Sequence, residues 1–323
     1  MKPAPQFLIL LLMGFTAPAL VSAEQAHELH GTVAGMRLEV QDDPDTRILV
    51  VRLGPINIPQ SGEHVTAGDH FLRIPFDGWF SAFHARLVDA SGAVLPERLL
   101  HHVVFLNMAR RNPLCPDEEE YVFGAGPEMN DWPALPGLGY RITKGQSLRV
   151  RAMFRNVGDT PLANTYLELQ INYQLLGDKL PLRSFYPTWF SVTQCGRMLY
   201  DLKPGRNITA GEFVLAHGGT FVALSGHLHD HGGTLRFENM TKKEDIAVLR
   251  AKLDSEGRLV SITLVSFAET NGYRVRPGEV VRVTAVYDNP TGLVLSQSAM
   301  GLLVAIFVPD KDEEFEVATR LPR

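Results

Sequence analysis

Apolar and polar side chains exchange at every second position along short segments of the chain. This period is typical of β-strands that bury one face, and turn residues separate the segments. Residues 147–156 show the pattern most clearly, with four apolar side chains on one face: Leu148, Val150, Ala152 and Phe154. Met153 is the lone apolar side chain on the opposite, arginine-rich face.

The same alternation predicts strands at residues 36–40, 47–53, 80–88, 98–106, 166–175, 259–267, 279–287 and 300–308. Residues 242–252 predict a short helix, and residues 109–139 predict an irregular excursion. Many short strands and few helices favour β-sandwiches over an α/β enzyme core. We therefore expect an all-β chain with two antiparallel sandwich domains in tandem, residues 24–196 and 197–323.

Residues 1–23 predict a secretion signal. Lys2 provides a basic start, residues 7–15 are almost unbroken apolar sequence, and Val21-Ser22-Ala23 is a small-residue cleavage site. The apolar run is too short to span a bilayer comfortably. We expect a periplasmic or secreted protein cleaved near Ala23, with an uncleaved N-terminal anchor as the alternative.

Composition narrows the classes of function. A formal net charge of −5 argues against nucleic acid or an anionic membrane as a partner. Export permits a disulfide, and we expect Cys115 and Cys195 to pair. Nucleophile elbows, phosphate-binding glycine loops and His-Glu-x-x-His helices do not occur in the sequence. Histidine-based metal chemistry is the remaining candidate.

His227 and His229 stand two residues apart at the end of a predicted strand, before the turn Asp230-His231-Gly232-Gly233. Alternation places both rings on one face, which makes half of a metal site. His231 would point the same way unless the turn swings it out. Chance pairing on a hairpin is the alternative interpretation.

The doublet His101-His102 lies inside an apolar strand. Neighbours on a flat strand face opposite sides, so joint ligation would need a bulge or different ring nitrogens. The other histidines show no ligand spacing, and we interpret them as structural or surface residues: His27, His30, His64, His70, His84 and His217.

Four segments, taken in order, carry a resemblance to a known family: Phe83-His84-Ala85-Arg86-Leu87-Val88-Asp89, Leu100-His101-His102-Val103-Val104, Phe123-Gly124-Ala125-Gly126-Pro127-Glu128 and Gly226-His227-Leu228-His229-Asp230. With a downstream methionine they resemble the copper type II, ascorbate-dependent monooxygenases, which include peptidylglycine- and dopamine-hydroxylating enzymes. The closer similarity is to the stress-up-regulated nodulin family. The resemblance implies two jelly-roll-like sandwiches, each holding one copper and facing a shared cleft.

In the second domain, the resemblance implies that His227, His229 and Met300 hold the oxygen-activating copper. Imidazole with thioether suits a copper that cycles between two oxidation states, because the soft sulfur favours the reduced one. Without the resemblance, Met300 would be interpreted as a core residue.

In the first domain, the resemblance implies a copper held by His101, His102 and a third histidine. Met153 stands where that histidine is expected. Either Met153 is a soft third ligand or the site has lapsed; Asn172 is a weaker substitute. We therefore expect one copper, or two if the first site is retained.

Substrate recognition departs from the family as well. Peptidylglycine enzymes place Arg, Asn and Tyr where this chain has Ser225, Leu302 and Val304, so peptide amidation is not expected. The leading hypothesis is an exported copper protein whose site at His227, His229 and Met300 binds dioxygen. If it is an enzyme, it should hydroxylate a C–H bond with dioxygen and an external reductant such as ascorbate. The alternatives are a non-catalytic copper-binding protein with a single site and a metal-free interaction module. The substrate class, small molecule or peptide, stays open.

Overall fold

The computed structural model describes residues 35–60, 62–178 and 182–321. The predicted signal segment, residues 1–23, lies outside this part of the chain. The prediction of an all-β fold is confirmed, because strands form nearly all of the regular structure and almost all described strand pairs are antiparallel. In the described part of the chain, no helix combines the length and the apolar character that crossing a membrane requires.

The N-terminal half, residues 35–185, contains these strands in the described ranges: β1 (Arg37–Asp43), β2 (Ile48–Ile58), β3 (His64–Arg73), β4 (Gly78–Val88), β5 (Leu100–Arg111), β6 (Glu119–Ala125), β7 (Asp131–Trp132), β8 (Leu138–Ile142), β9 (Ser147–Arg155), β10 (Leu162–Leu175) and β11 (Arg183–Ser184). One sheet has the order β1-β2-β10-β4-β8-β11, with β7 added to β4. The facing sheet has the order β3-β9-β5-β6. A 3-10 turn, Glu97–Leu99, precedes β5.

The C-terminal half, residues 186–321, contains the following elements: β12 (Tyr186–Ser191), β13 (Tyr200–Leu202), β14 (Gly205–Val214), β15 (Gly219–Leu228), β16 (Gly232–Asn239), β17 (Glu244–Leu253), β18 (Leu259–Ile262), β19 (Val265–Ser266), a 3-10 turn (Ala268–Thr270), β20 (Tyr273–Val275), β21 (Val280–Asn289), β22 (Leu295–Ala299), β23 (Gly301–Pro309) and helix α1 (Asp312–Thr319). Its sheets have the orders β12-β23-β15-β19, with β20 on β15, and β14-β21-β16-β17-β18. Strands β13 and β22 form a separate pair.

Alternation explains the core of each sandwich. The predicted inner face of β9 is buried, with Leu148, Val150 and Phe154 each 0% exposed. Across the N-terminal sandwich, Phe83 of β4 stacks on Phe123 of β6 with ring centroids 5.5 Å apart. Burying aromatic and β-branched side chains between two sheets is the main stabilising term in such a fold.

Two local predictions differ from the structure. The predicted helix at residues 242–252 is wrong, because this segment is strand β17, paired with β16 and burying Ile246 and Leu249. Cross-strand pairing and burial therefore override its helix-forming composition. The predicted irregular stretch, residues 109–139, contains strand β6.

The two halves meet sheet to sheet. Trp189 of β12 stacks on Tyr121 of β6, with ring centroids 4.5 Å apart. A Cβ on Gly124 would lie 2.7 Å from the Trp189 ring, so glycine permits this close approach. Apolar side chains from both halves complete the contact, which we call the inter-half cluster: Val104, Tyr121, Trp132, Trp189, Met300, Leu302 and Val304.

Strand pairing also assigns β12 to the C-terminal half. Tyr186–Ser191 pairs antiparallel with β23 along its whole length. In strand pairing, the change from one half to the other therefore falls between β11 and β12.

A buried polar network holds the end of the chain against both halves. Arg110 of β5 lies 3.1 Å from Glu120 and donates to Thr319 of α1 at 2.7 Å. Its guanidinium also lies over the ring of Tyr186, 4.5 Å from the centroid. Burial raises the pKa of Glu120 despite the neighbouring arginine. The network thus links β5, β12 and α1.

Cys115 and Cys195 form a disulfide, as predicted, with Cα atoms 5.5 Å apart. The bond joins the β5–β6 connection to the segment after β12, so it ties the two halves together. The cysteines are 80 residues apart, and a cross-link over such a loop removes much conformational freedom from the unfolded chain.

We expect the double variant Cys115→Ser, Cys195→Ser to lose about 2–4 kcal/mol of unfolding free energy. Urea unfolding without reductant, followed by tryptophan fluorescence, measures the difference. Equal midpoints and slopes for parent and variant would show that the cross-link does not constrain the unfolded chain.

Candidate metal centre

His227 and His229 lie side by side at the end of β15, as strand alternation predicts. Their ring centroids are 5.0 Å apart. His227 donates from Nδ1 to the Glu128 carboxylate, and His229 donates from Nδ1 to the carbonyl of Ser298 at 2.9 Å. With Nδ1 occupied in both rings, Nε2 offers the lone pair that a metal would take.

The backbone of Met300 lies next to that of His229 because one hydroxyl bonds to both. The Tyr287 hydroxyl accepts the backbone N–H of His229 at 2.8 Å and of Met300 at 3.3 Å, and donates to the Met300 carbonyl. Leu228 pairs with Gly301, so extending the register by one residue places Met300 opposite His229. The half-buried Met300 side chain is part of the inter-half cluster and not of the main core.

A bulge brings the histidine doublet to one face of β5. Leu100 pairs with Phe154 and His102 with Met153, so His101 is an extra residue between two successive pairs. The rings of His101 and His102 have centroids 5.0 Å apart. The bulge that two neighbouring histidines need in order to point to the same face is therefore present.

His64, interpreted from sequence as structural or surface, is part of this group. It begins β3, and its ring centroid lies 4.5 Å from that of His101. His64 pairs with Arg155 and His102 with Met153, two residues apart on β9, so both lie on the same face of the sheet. This placement makes His64 a candidate ligand that the sequence alone did not identify.

The histidines of the two halves form one continuous array. His101 of the N-terminal half has its ring centroid 5.6 Å from that of His229 of the C-terminal half. The resemblance implies two sites that face a shared cleft, and in the structure the two histidine groups are in contact. We call the five rings the histidine array: His64, His101, His102, His227 and His229.

Three other residues considered from the sequence, Met153, Asn172 and His231, lie outside the histidine array. Met153 is 7% exposed and faces His102 across the β5–β9 pair, on the same side as His64. Asn172 is exposed on β10, in the other sheet. His231 has a φ of 68° and lies over Gly257, so the turn swings it away from strand alternation.

Burial favours the uncharged form of two rings of the array, His101 and His229. Burial and the neighbouring rings keep the pKa of His101 well below its ordinary value. Burial and then His227 lower the pKa of His229 to about 3. Burial also opposes charge on His227, but the Glu128 carboxylate outweighs it and raises the pKa of His227. A neutral imidazole is the form that ligates metals.

The side chains that could bind a metal here are of the kinds that copper prefers. Neutral imidazoles with one or two thioethers nearby suit a metal that is stable as Cu(I) and Cu(II). In the described residues, no group of three His, Cys, Asp or Glu side chains could hold an ion with the side chains as they stand.

Comparison with known proteins points the same way. The chain is 26% identical over 205 residues to the probable copper-dependent oxygenase clz3 of Cochliobolus lunatus. It is 25% identical over 205 residues to the probable copper-dependent oxygenase M1 of a Phoma species. Each match covers 58% of this chain, and 63% and 50% of the respective relatives, so the chain spans less than two thirds of either.

No protein-family model matches the chain. Among solved structures, PNGF-II covers 86% of this chain and 62% of its own, with 10% identity and a TM-score of 0.38. A likeness at that score carries no argument. The chain is thus distantly similar to proteins named copper-dependent oxygenases.

We expect Tyr287→Phe to loosen the C-terminal part of the array, because the backbone groups of His229 and Met300 lose their shared partner. Buried groups left without a partner cost about 1–3 kcal/mol of unfolding free energy. Copper affinity should also fall. Tyr173→Phe, which removes a hydroxyl bonded to Asp42 in the distant sheet, is the matched control. Unchanged copper affinity in Tyr287→Phe would contradict this role.

We expect His64→Ala to lower the copper content of purified protein, and His70→Ala to leave it unchanged. Both residues lie on β3, but the His70 ring contacts the carbonyl of Ala67 within its own strand. Metal analysis after exhaustive desalting measures the difference. Equal copper content in both variants would remove His64 from the candidate centre.

Proposed function

We propose that this chain is a copper-dependent oxygenase that acts on a C–H bond, using dioxygen and an external reductant such as ascorbate. The observation that carries the proposal is the pair His227 and His229, each fixed at Nδ1, beside a methionine that Tyr287 holds in place. The distant similarity to proteins named copper-dependent oxygenases supports the same chemistry.

In this proposal the C-terminal ligands are His227, His229 and Met300. The N-terminal ligands are His101 and His102, with His64 and Met153 as candidates for the third position. Bound copper would supply one-electron transfer and dioxygen chemistry. The chain's own part is to favour neutral His101 and His229, and to fix Nδ1 of the two C-terminal rings so that Nε2 is left for the metal. The inter-half cluster would exclude bulk water beside them.

His64 bears on the number of copper ions. Sequence alone leaves the N-terminal site with two histidines and Met153, which favours a single copper. The position of His64 beside His101 offers a third imidazole, so the proposal includes two ions. Their ligands come from adjoining parts of one array.

The second candidate function is copper binding without catalysis. Ser225, Leu302 and Val304 are each under 5% exposed, and the latter two pack within the inter-half cluster. These are the positions at which the resemblance places substrate-binding residues. A carboxylate-bearing substrate would meet no cation there, which also speaks against peptide amidation.

Oxygen uptake separates the two candidates. We expect desalted, copper-loaded protein to consume dioxygen in the presence of ascorbate, and His229→Ala, loaded and desalted in the same way, to consume far less. His70→Ala should match the parent. Tight copper binding without uptake above the His229→Ala level would support the binding-only function. No retained copper in the parent would contradict both.

A further inference from the structure

One acidic side chain crosses from the N-terminal half to the histidines of the C-terminal half. Glu128 follows β6, and its side chain is 4% exposed. Its Oε1 accepts the Nδ1 proton of His227 on β15. Sequence reasoning included Glu128 in a matching segment but assigned it no role.

A tight turn fixes where the Glu128 carboxylate lies. Gly126 and Met129 exchange two backbone hydrogen bonds, of 3.0 and 3.2 Å, and Pro127 stiffens the turn between them. A Cβ on Gly126 would lie 2.9 Å from Glu128 Oε2 and 3.1 Å from the carbonyl of His101. Only glycine leaves room for the carboxylate between the turn and the bulge of β5.

The turn is also held against β15 at a second point. The Ser225 hydroxyl donates to the Met129 sulfur at 2.8 Å. Ser225 and His227 are two residues apart on the strand, so they face the same side. Within the turn, Glu128 contacts His227 and Met129 contacts Ser225. The turn is therefore attached at two points on one face of β15.

Burying the Glu128 carboxylate costs folding free energy that apolar packing around it does not offset. A buried carboxylate is stabilised only when its oxygens find donors or opposite charge. His227 serves one oxygen, whereas Oε2 is buried without a hydrogen-bond partner among the described residues. A buried polar atom without a partner calls for an explanation, and a role beside a bound ion is one.

We propose that Glu128 is a positioning residue that completes the C-terminal metal site from the N-terminal half, an inference that rests on the proposed copper function. The carboxylate holds His227 with Nε2 toward the metal and makes the imidazole a stronger donor, as outer carboxylates do for metal-bound histidines. The C-terminal half supplies the ligands, and the N-terminal half supplies the group that orients one of them.

The test compares full-length variants in copper affinity and in the EPR spectrum of bound Cu(II). Glu128→Gln keeps the size of the side chain but removes its charge, and Gly126→Ala displaces the carboxylate without changing any donor. The matched controls are Glu168→Gln, a shielded carboxylate paired with Arg86, and Gly177→Ala, whose added Cβ meets nothing within 4 Å. Thermal unfolding of the metal-free proteins shows that each variant folds.

We expect Glu128→Gln and Gly126→Ala to bind Cu(II) about 10–100-fold more weakly than the parent and to show altered EPR parameters. Both controls should match the parent. Parent-like affinity and spectrum in Glu128→Gln, together with weakened binding in His227→Ala, would overturn the role of Glu128 and leave the copper function standing. Parent-like binding in both His227→Ala and His229→Ala would overturn the proposed copper function and this role with it.

Discussion

The packing of half-buried imidazoles from both halves at one joint is the constraint on which the rest of the candidate site depends. A buried imidazole needs an acceptor for its N–H and resists taking a second proton. The chain supplies these acceptors from different elements: the Ser298 carbonyl for His229 and the Glu128 carboxylate for His227. What results is a set of rings whose remaining nitrogens are suited to a metal.

The site is therefore a property of the whole chain and of neither sandwich alone. His101 approaches His229, and Glu128 approaches His227, only because the sheet containing β5 and β6 packs on the sheet containing β12 and β23. The Trp189–Tyr121 stack, the Cys115–Cys195 disulfide and the Arg110 network all hold the same joint. In the proposed function they keep the two candidate ligand sets in register.

Local patterns predicted what depends on neighbouring residues in the chain. Alternation placed Phe154 inside and His227 and His229 on one face. His64 escaped prediction because its approach to His101 depends on β3 pairing with β9, about ninety residues away, and nothing in residues 64–67 signals that partner. Glu128 escaped as a contact because it bonds to a residue 99 positions later, across two sandwiches.

The most direct test of this account is the position of copper in crystals of the copper-loaded protein, located by anomalous diffraction at the copper edge. The account predicts copper within the histidine array, bound by rings of both halves or by two ions on adjoining rings, with the Met300 sulfur close to the C-terminal ion. Copper found only at histidines outside the array, such as His231 or His217, with the array rings unmoved, would contradict it.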